Sequence, residues 1–147
     1  MKVLIIHHLE PIWQKGYGGF GESFESLQEK FLAYLSENSF QRVILTRFED
    51  WRACSSEGYF SELLDLISEV RDYAYGWEAE MFQDESDYCE GGTHSEVVYL
   101  PEWLKQLKKR GAQVTLTGAF EGECIEDMEI ALSHLEIPFT KARSLIL

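Results

Sequence analysis

The chain has 147 residues, 45% of them apolar and 14% aromatic, which is a globular composition rather than a disordered one. Its 26 acidic residues against 13 basic ones leave a formal net charge of -13; this repels phosphate and disfavours nucleic acid and anionic membrane surfaces as partners. Three widely spaced cysteines (Cys54, Cys89, Cys124) without a CxxC pair argue against a disulfide framework or a structural zinc site and for reduced thiols in a cytoplasmic protein.

The opening "MKVLIIHHLEP" carries a short aliphatic run, Val3 to Ile6, ahead of two histidines. It is too short for a signal sequence and reads as a strand buried on both faces of a parallel sheet. Nowhere does an apolar run approach the ~20 residues that cross a membrane. A glycine-rich loop, "EPIWQKGYGGFGES", follows, with Ser23 (or, less well, Ser26) placed to cap the next helix. In that helix Phe24, Leu27, Phe31, Leu32 and Leu35 recur at helical steps, and Asn38 ends it.

"RVILTRF" predicts a second buried strand, and "GYFSELLDLISEVRDY" steps helically through Phe60, Leu63, Leu64, Ile67 and Val70. Tyr73, Tyr75 and Trp77, two apart, suit a strand or edge segment, and "QDESDYCEGGTH", residues Gln83 to His94, reads as an acidic loop. Pro101 opens a helix in "PEWLKQLKKRG", with glutamate next to it, basic residues at the far end and a glycine to stop it. "AQVTLTG" is a third strand, Glu123 to Leu135 a last long helix, and "IPFT" with "SLIL" supply one or two closing strands.

Strands alternating with helices predict a single α/β domain over residues 1–147, a three-layer sandwich around a mostly parallel, doubly wound sheet. Ligands bind such sheets at the carboxyl ends of the strands, near the point where strand order reverses. The loops that begin at His7, Phe48 and Gly118 are therefore the ones that matter.

Cys124 lies on one of them, six residues after Gly118 at a helix entrance. The amides and partial positive charge of a helix N-terminus stabilise a thiolate and can hold an oxyanion. Glu121, Glu123, Glu126 and Asp127 act in the opposite direction by raising a nearby thiol's pKa, and a small buried core cysteine is the plain alternative.

The stretch "VTLTGAFEGECIEDMEIALSHLEIPF" resembles the carboxyl-terminal signature of the isochorismatase-like cysteine hydrolases: a strand, Thr117-Gly118, a short loop, Cys124 followed by aliphatic Ile125, and a helix carrying Ala131. Leu104 to Arg110 with Gly111 is similar to the helix that precedes this strand in the family, "MKVLIIHH" to its first strand and "VILTR" to its second. The resemblance implies a cysteine nucleophile that cleaves an amide, ester or related bond in a small molecule, with no cofactor and no metal. It implies a homodimer as well.

The family's aspartate base falls at His7, with His8 beside it and Glu10 the nearest carboxylate; the region of its catalytic lysine offers Arg71. A cysteine and a histidine make a workable nucleophile–base pair, whereas arginine, with a pKa above about 12, can hold an anion but not exchange protons. Carried onto this chain, the catalytic set is Cys124, His7 and Arg71, with His8, Glu10, Gly118, Phe120 and Trp77 around the substrate. The alternative is an inactive member of the family that binds a small ligand or a protein.

Three further features have simpler readings. His7, His8 and Glu10 invite a metal, but neighbours on a strand face opposite ways, so one buried and one exposed histidine is expected. Gly16, Gly19 and Gly21 form GxxGxG rather than a nucleotide fingerprint, which suits a lid better than a phosphate cradle. Tyr73, Tyr75 and Trp77 can stack on a planar ligand, but packing in the core or an interface accounts for them too.

Overall fold

The computed structural model describes residues 1–9, 21–47, 61–73, 84–93 and 96–147. Among them β1 (Lys2–His7), α1 (Phe24–Glu37), β2 (Arg42–Arg47), α2 (Ser61–Leu64) and β3 (Glu69–Asp72) form the first half of the fold. A 3-10 turn (Glu85–Asp87), β4 (Tyr88–Glu90), β5 (Val97–Tyr99), α3 (Glu102–Lys109), β6 (Gln113–Gly118), α4 (Cys124–His134) and β7 (Phe139–Ile146) follow.

Five strands make one sheet in the order β3-β2-β1-β6-β7, all pairs parallel, while β4 and β5 form a separate antiparallel ribbon. The chain steps outward from β1 through β2 to β3, then returns to the other side of β1 with β6. Strand order thus reverses between β1 and β6, where His7 is the register partner of Gly118.

Alternation along β1 explains the layers. Val3 and Ile5 pack with Val114 and Leu116 against Leu104 and Leu107 of α3 and Ile125, Met128 and Leu132 of α4. Leu4 and Ile6 face the opposite way, onto Leu27 and Phe31 of α1 and Leu63 of α2. All four β1 aliphatics are fully buried, and each contributes roughly 1.5–3 kcal/mol relative to exposure. The fold is therefore α/β, a parallel central sheet flanked by helices on both faces.

The helix ends follow the sequence signals. Ser23 accepts the Ser26 amide at 3.2 Å, and the Asn38 amide closes α1 on the Tyr34 carbonyl at 3.0 Å. Pro101 caps α3, with Glu102 in its first turn and Lys108 and Lys109 in its last.

Two expectations need correction. The helix read through Phe60 to Val70 is, among the described residues, only the turn Ser61–Leu64, and Val70 lies in β3. The Leu66 and Ile67 amides tighten onto the Leu63 and Leu64 carbonyls, and the Ser68 amide then bonds the Val43 carbonyl at 2.8 Å and draws the chain into the sheet. The acidic segment read as a loop contains β4, whose Cys89 is register partner to Val98; both side chains join the core. The closing segment is one strand, β7, with an irregular register between Leu116 and Gly118. No helix among the described residues is long and apolar enough to cross a membrane.

Candidate functional site

The site begins where β1 stops. His7 is fully buried at the end of the strand, and its Nδ1 lies 2.6 Å from Thr46 Oγ1 at the matching position of β2. His8 then adopts a left-handed conformation (φ 53°), and its amide donates to the Thr46 carbonyl at 3.2 Å. Because the strand ends there, the two rings come side by side, with centroids 3.9 Å apart. This corrects the expected pattern of one buried and one exposed histidine: His8 is buried too.

Gly118 mirrors this on β6. It sits at φ +111°, and a Cβ there would overlap the His7 carbonyl oxygen, so only glycine lets the two strand ends meet. The Ala119 amide donates to that carbonyl at 2.8 Å, and the Leu147 amide donates to the Gly118 carbonyl at 2.9 Å. Thr117 commits its hydroxyl to the Ile5 carbonyl at 2.9 Å, a structural role. Past a cis Ala119–Phe120 bond, the turn delivers Cys124 as the first residue of α4.

Cys124 is buried, as is Cys89, and neither is in a disulfide. The Phe120 carbonyl accepts the Glu123 amide at 3.1 Å and the Ile125 amide at 3.2 Å, while the Asp127 amide bonds the Glu123 carbonyl. These three amides of the helix entrance are therefore committed to protein carbonyls. Phe120 is half-buried and packs against the core cluster that contains Cys124 and Ala119.

Burial pushes the His7 imidazole well below the ordinary histidine range, the charge of His8 lowers it further, and a main-chain contact with Cys124 partly opposes both. That contact ties the β1 histidine to the α4 cysteine. The ring is accordingly neutral near pH 7, the form a general base requires.

One residue that sequence reasoning left to packing belongs here. Tyr73, the first residue past β3, is fully buried with its ring 5.2 Å from that of His7, edge-on at 88°. Its amide donates to the Arg47 carbonyl at 2.7 Å. Among the described residues, neither its hydroxyl nor His7 Nε2 makes a hydrogen bond of ordinary geometry. Burial, then the neighbouring Asp127, Cys89, Cys124 and Tyr99, raise the phenol's pKa well above 10.0. Asp127, one turn along α4 from Cys124, is also buried and accepts the Thr93 amide at 2.7 Å and the Thr93 hydroxyl at 3.1 Å. Its position at a strand's carboxyl end is the signal that marks Tyr73; the sequence pattern groups it instead with Tyr75 and Trp77 in a separate strand or edge segment.

Arg71 is not brought to this cluster. Its Nε donates to Glu69 at 2.6 Å, and Glu69 also takes the Arg42 Nε at 2.7 Å. The side chain lines a cleft of about 460 Å³ beside Trp103 and Arg110 of the α3 region. Glu10 and Trp77 lie outside the described residues, as do Cys54, Tyr75, Gly16 and Gly19.

The arrangement is a parallel α/β fold with histidine, cysteine and tyrosine gathered at its switch point. Comparison with protein-family models, curated proteins and solved structures gave no match for the chain.

Proposed function

We propose that the protein is a divergent isochorismatase-like hydrolase, in which Cys124 attacks a small amide, ester or related compound and His7 serves as its base. The observation that supports this reading is the pairing of His7 with Gly118 across the switch point, together with the contact of the His7 ring with the Cys124 main chain. In the tautomer with the proton on Nδ1, His7 donates to Thr46 Oγ1, whose own proton faces the Ile6 carbonyl 3.5 Å away. Nε2 then carries a lone pair, and Thr46 orients the base as the third member of a nucleophile–base relay does.

The thiol proton moves to Nε2 as sulfur bonds to the carbonyl carbon and the π pair moves to oxygen. Collapse restores the carbonyl and breaks the bond to nitrogen or oxygen, and the leaving group takes the proton from Nε2. Water repeats the sequence on the thioester, giving its proton to Nε2 and its oxygen to the acid, and the thiol is restored. The pH dependence of Cys124 alkylation by iodoacetamide, followed by peptide mass spectrometry, tests this. An inflection clearly below about 8.5, lost in His7→Gln, is expected; a wild-type value at or above about 8.5 removes the nucleophile.

A second reading, a non-catalytic small-ligand-binding member of the family, draws on the place of Arg71. Held by Glu69 at the edge strand, that guanidinium supplies no third catalytic group. On this reading Cys124 is a core thiol and alkylates slowly at every pH.

A further inference from the structure

Resting on the hydrolase reading, a further question is what stabilises the oxyanion. The amides of Glu123, Ile125 and Asp127 are bonded to protein carbonyls. Arg71 is bound at Glu69, and Lys141 at Glu121 and Glu129. Among the described residues, the Tyr73 hydroxyl and His7 Nε2 are buried polar atoms on fully buried side chains that make no hydrogen bond of ordinary geometry. A buried polar group left unmatched costs about 1–3 kcal/mol, and buried hydroxyls in native folds are nearly always matched by protein, water or ligand. The two belong to rings 5.2 Å apart, at the end of β1 and just past β3, the strands on either side of β2.

We infer that the Tyr73 hydroxyl is the oxyanion donor of this site, paired with His7 Nε2 as the proton acceptor, and that the group it receives is a small uncharged carbonyl, an amide or ester. As the carbon–sulfur bond forms, the carbonyl π pair moves to oxygen and the thiol proton moves to Nε2. Tyr73 keeps its own proton throughout and only donates a hydrogen bond. Its raised pKa suits that role, since a phenol that stays protonated remains a donor across the working pH range. The buried Asp127 carboxylate, a neighbour of the Tyr73 phenol, repels an anion, which favours a neutral carbonyl over a carboxylate.

The test compares wild type with Tyr73→Phe, which keeps the ring. Two probes of Cys124 are used: acetylation by p-nitrophenyl acetate, which passes through an oxyanion, and alkylation by iodoacetamide, which does not. Loss of one oxyanion donor slows acetylation by about 10²–10³-fold, with alkylation within about twofold of wild type and a melting temperature no lower. A Tyr73→Phe protein that acetylates within about threefold of wild type overturns the role of Tyr73 and leaves the nucleophile standing. Both rates falling together, or a lower melting temperature, makes Tyr73 structural and overturns it also. Wild-type Cys124 that neither acetylates nor alkylates overturns this inference and the hydrolase reading together.

Discussion

Single residues at the switch point carry measurable costs. His7 is enclosed by His8, Thr46, Tyr73 and the Cys124 main chain, and it resists protonation in the folded protein. The unfolded chain takes up that proton at the ordinary value near 6.5, so the unfolded state binds more protons below it. Stability is therefore constant above about pH 6.5 and falls on acidification, with a slope approaching about 1.4 kcal/mol per pH unit until the lower folded value is reached. Urea midpoints between about pH 7.5 and 5 will show this decline, and His7→Gln will flatten it. Glu69, which burial raises but Arg42 and Arg71 bring below the ordinary 4.5, and Asp84, brought below 3.8 by Ser86, contribute a loss only in more acid solution, so the two windows separate. Gly118 gives a second measure. Gly118→Ala combines a positive φ with overlap on the His7 carbonyl and should cost about 3 kcal/mol or more. Gly122→Ala, at φ +75° in open space, should cost only about 1–2 kcal/mol. Equal costs in denaturant titrations would mean that close approach at Gly118 contributes nothing.

Between elements, the buried carboxylate of Asp127 is one link from α4 to the β4–β5 ribbon, through the Thr93 amide and hydroxyl. Charge-assisted bonds of this kind contribute about 2 kcal/mol, so Asp127→Ala should speed exchange of the Thr93 amide about 30-fold. Amides in β1 and β6 should change much less, and unchanged exchange at Thr93 would show that the ribbon is held by other contacts. This link also illustrates what was legible in the sequence. β1, β2 and β6 announce themselves because a central parallel strand is apolar on both faces, and α1 and α3 because their caps and charges sit at the ends. β3 has no such signature: three of its four residues are charged, since it lies at the sheet edge, where Arg42 and Arg71 meet Glu69. Helical spacing of Leu63, Leu64, Ile67 and Val70 then outweighed it, and Tyr73, read with Tyr75 and Trp77 as a separate edge segment, was not placed at the carboxyl end of β3. β4 and β5 have three residues each, too few for a period to register. His7, Cys124 and Gly118 were visible because apolar runs point to the strand ends. Asp127 was visible only as an unfavourable charge, because its partner Thr93 is 34 residues away.

For the whole molecule the dominant electrostatic fact is the net charge of -13. Ion pairs such as Lys30 with Glu22, Lys105 with Asp87 and Lys141 with Glu129 are largely at the surface, where each contributes about 0–1 kcal/mol. Even with every basic residue matched to an acid, 26 less 13 leaves 13 acids uncompensated on a chain of this size. Salt acts on the two contributions in opposite directions: it weakens the short favourable pairs slightly and the long-range repulsion strongly. The Debye length falls from roughly 20 Å at about 0.02 M to roughly 4 Å at about 0.5 M, which is shorter than most acid–acid separations but comparable to an ion-pair contact. Repulsion is thus the larger loss, and the compact state, where the acids are closest, gains more from screening than the unfolded chain does. The melting temperature should therefore rise by a few degrees, on the order of 2–6 °C, between those sodium chloride concentrations. A fall over the same range would mean that the pairs around Glu69 and Lys141 outweigh the net field, and that local geometry rather than total charge sets the electrostatic stability of this fold.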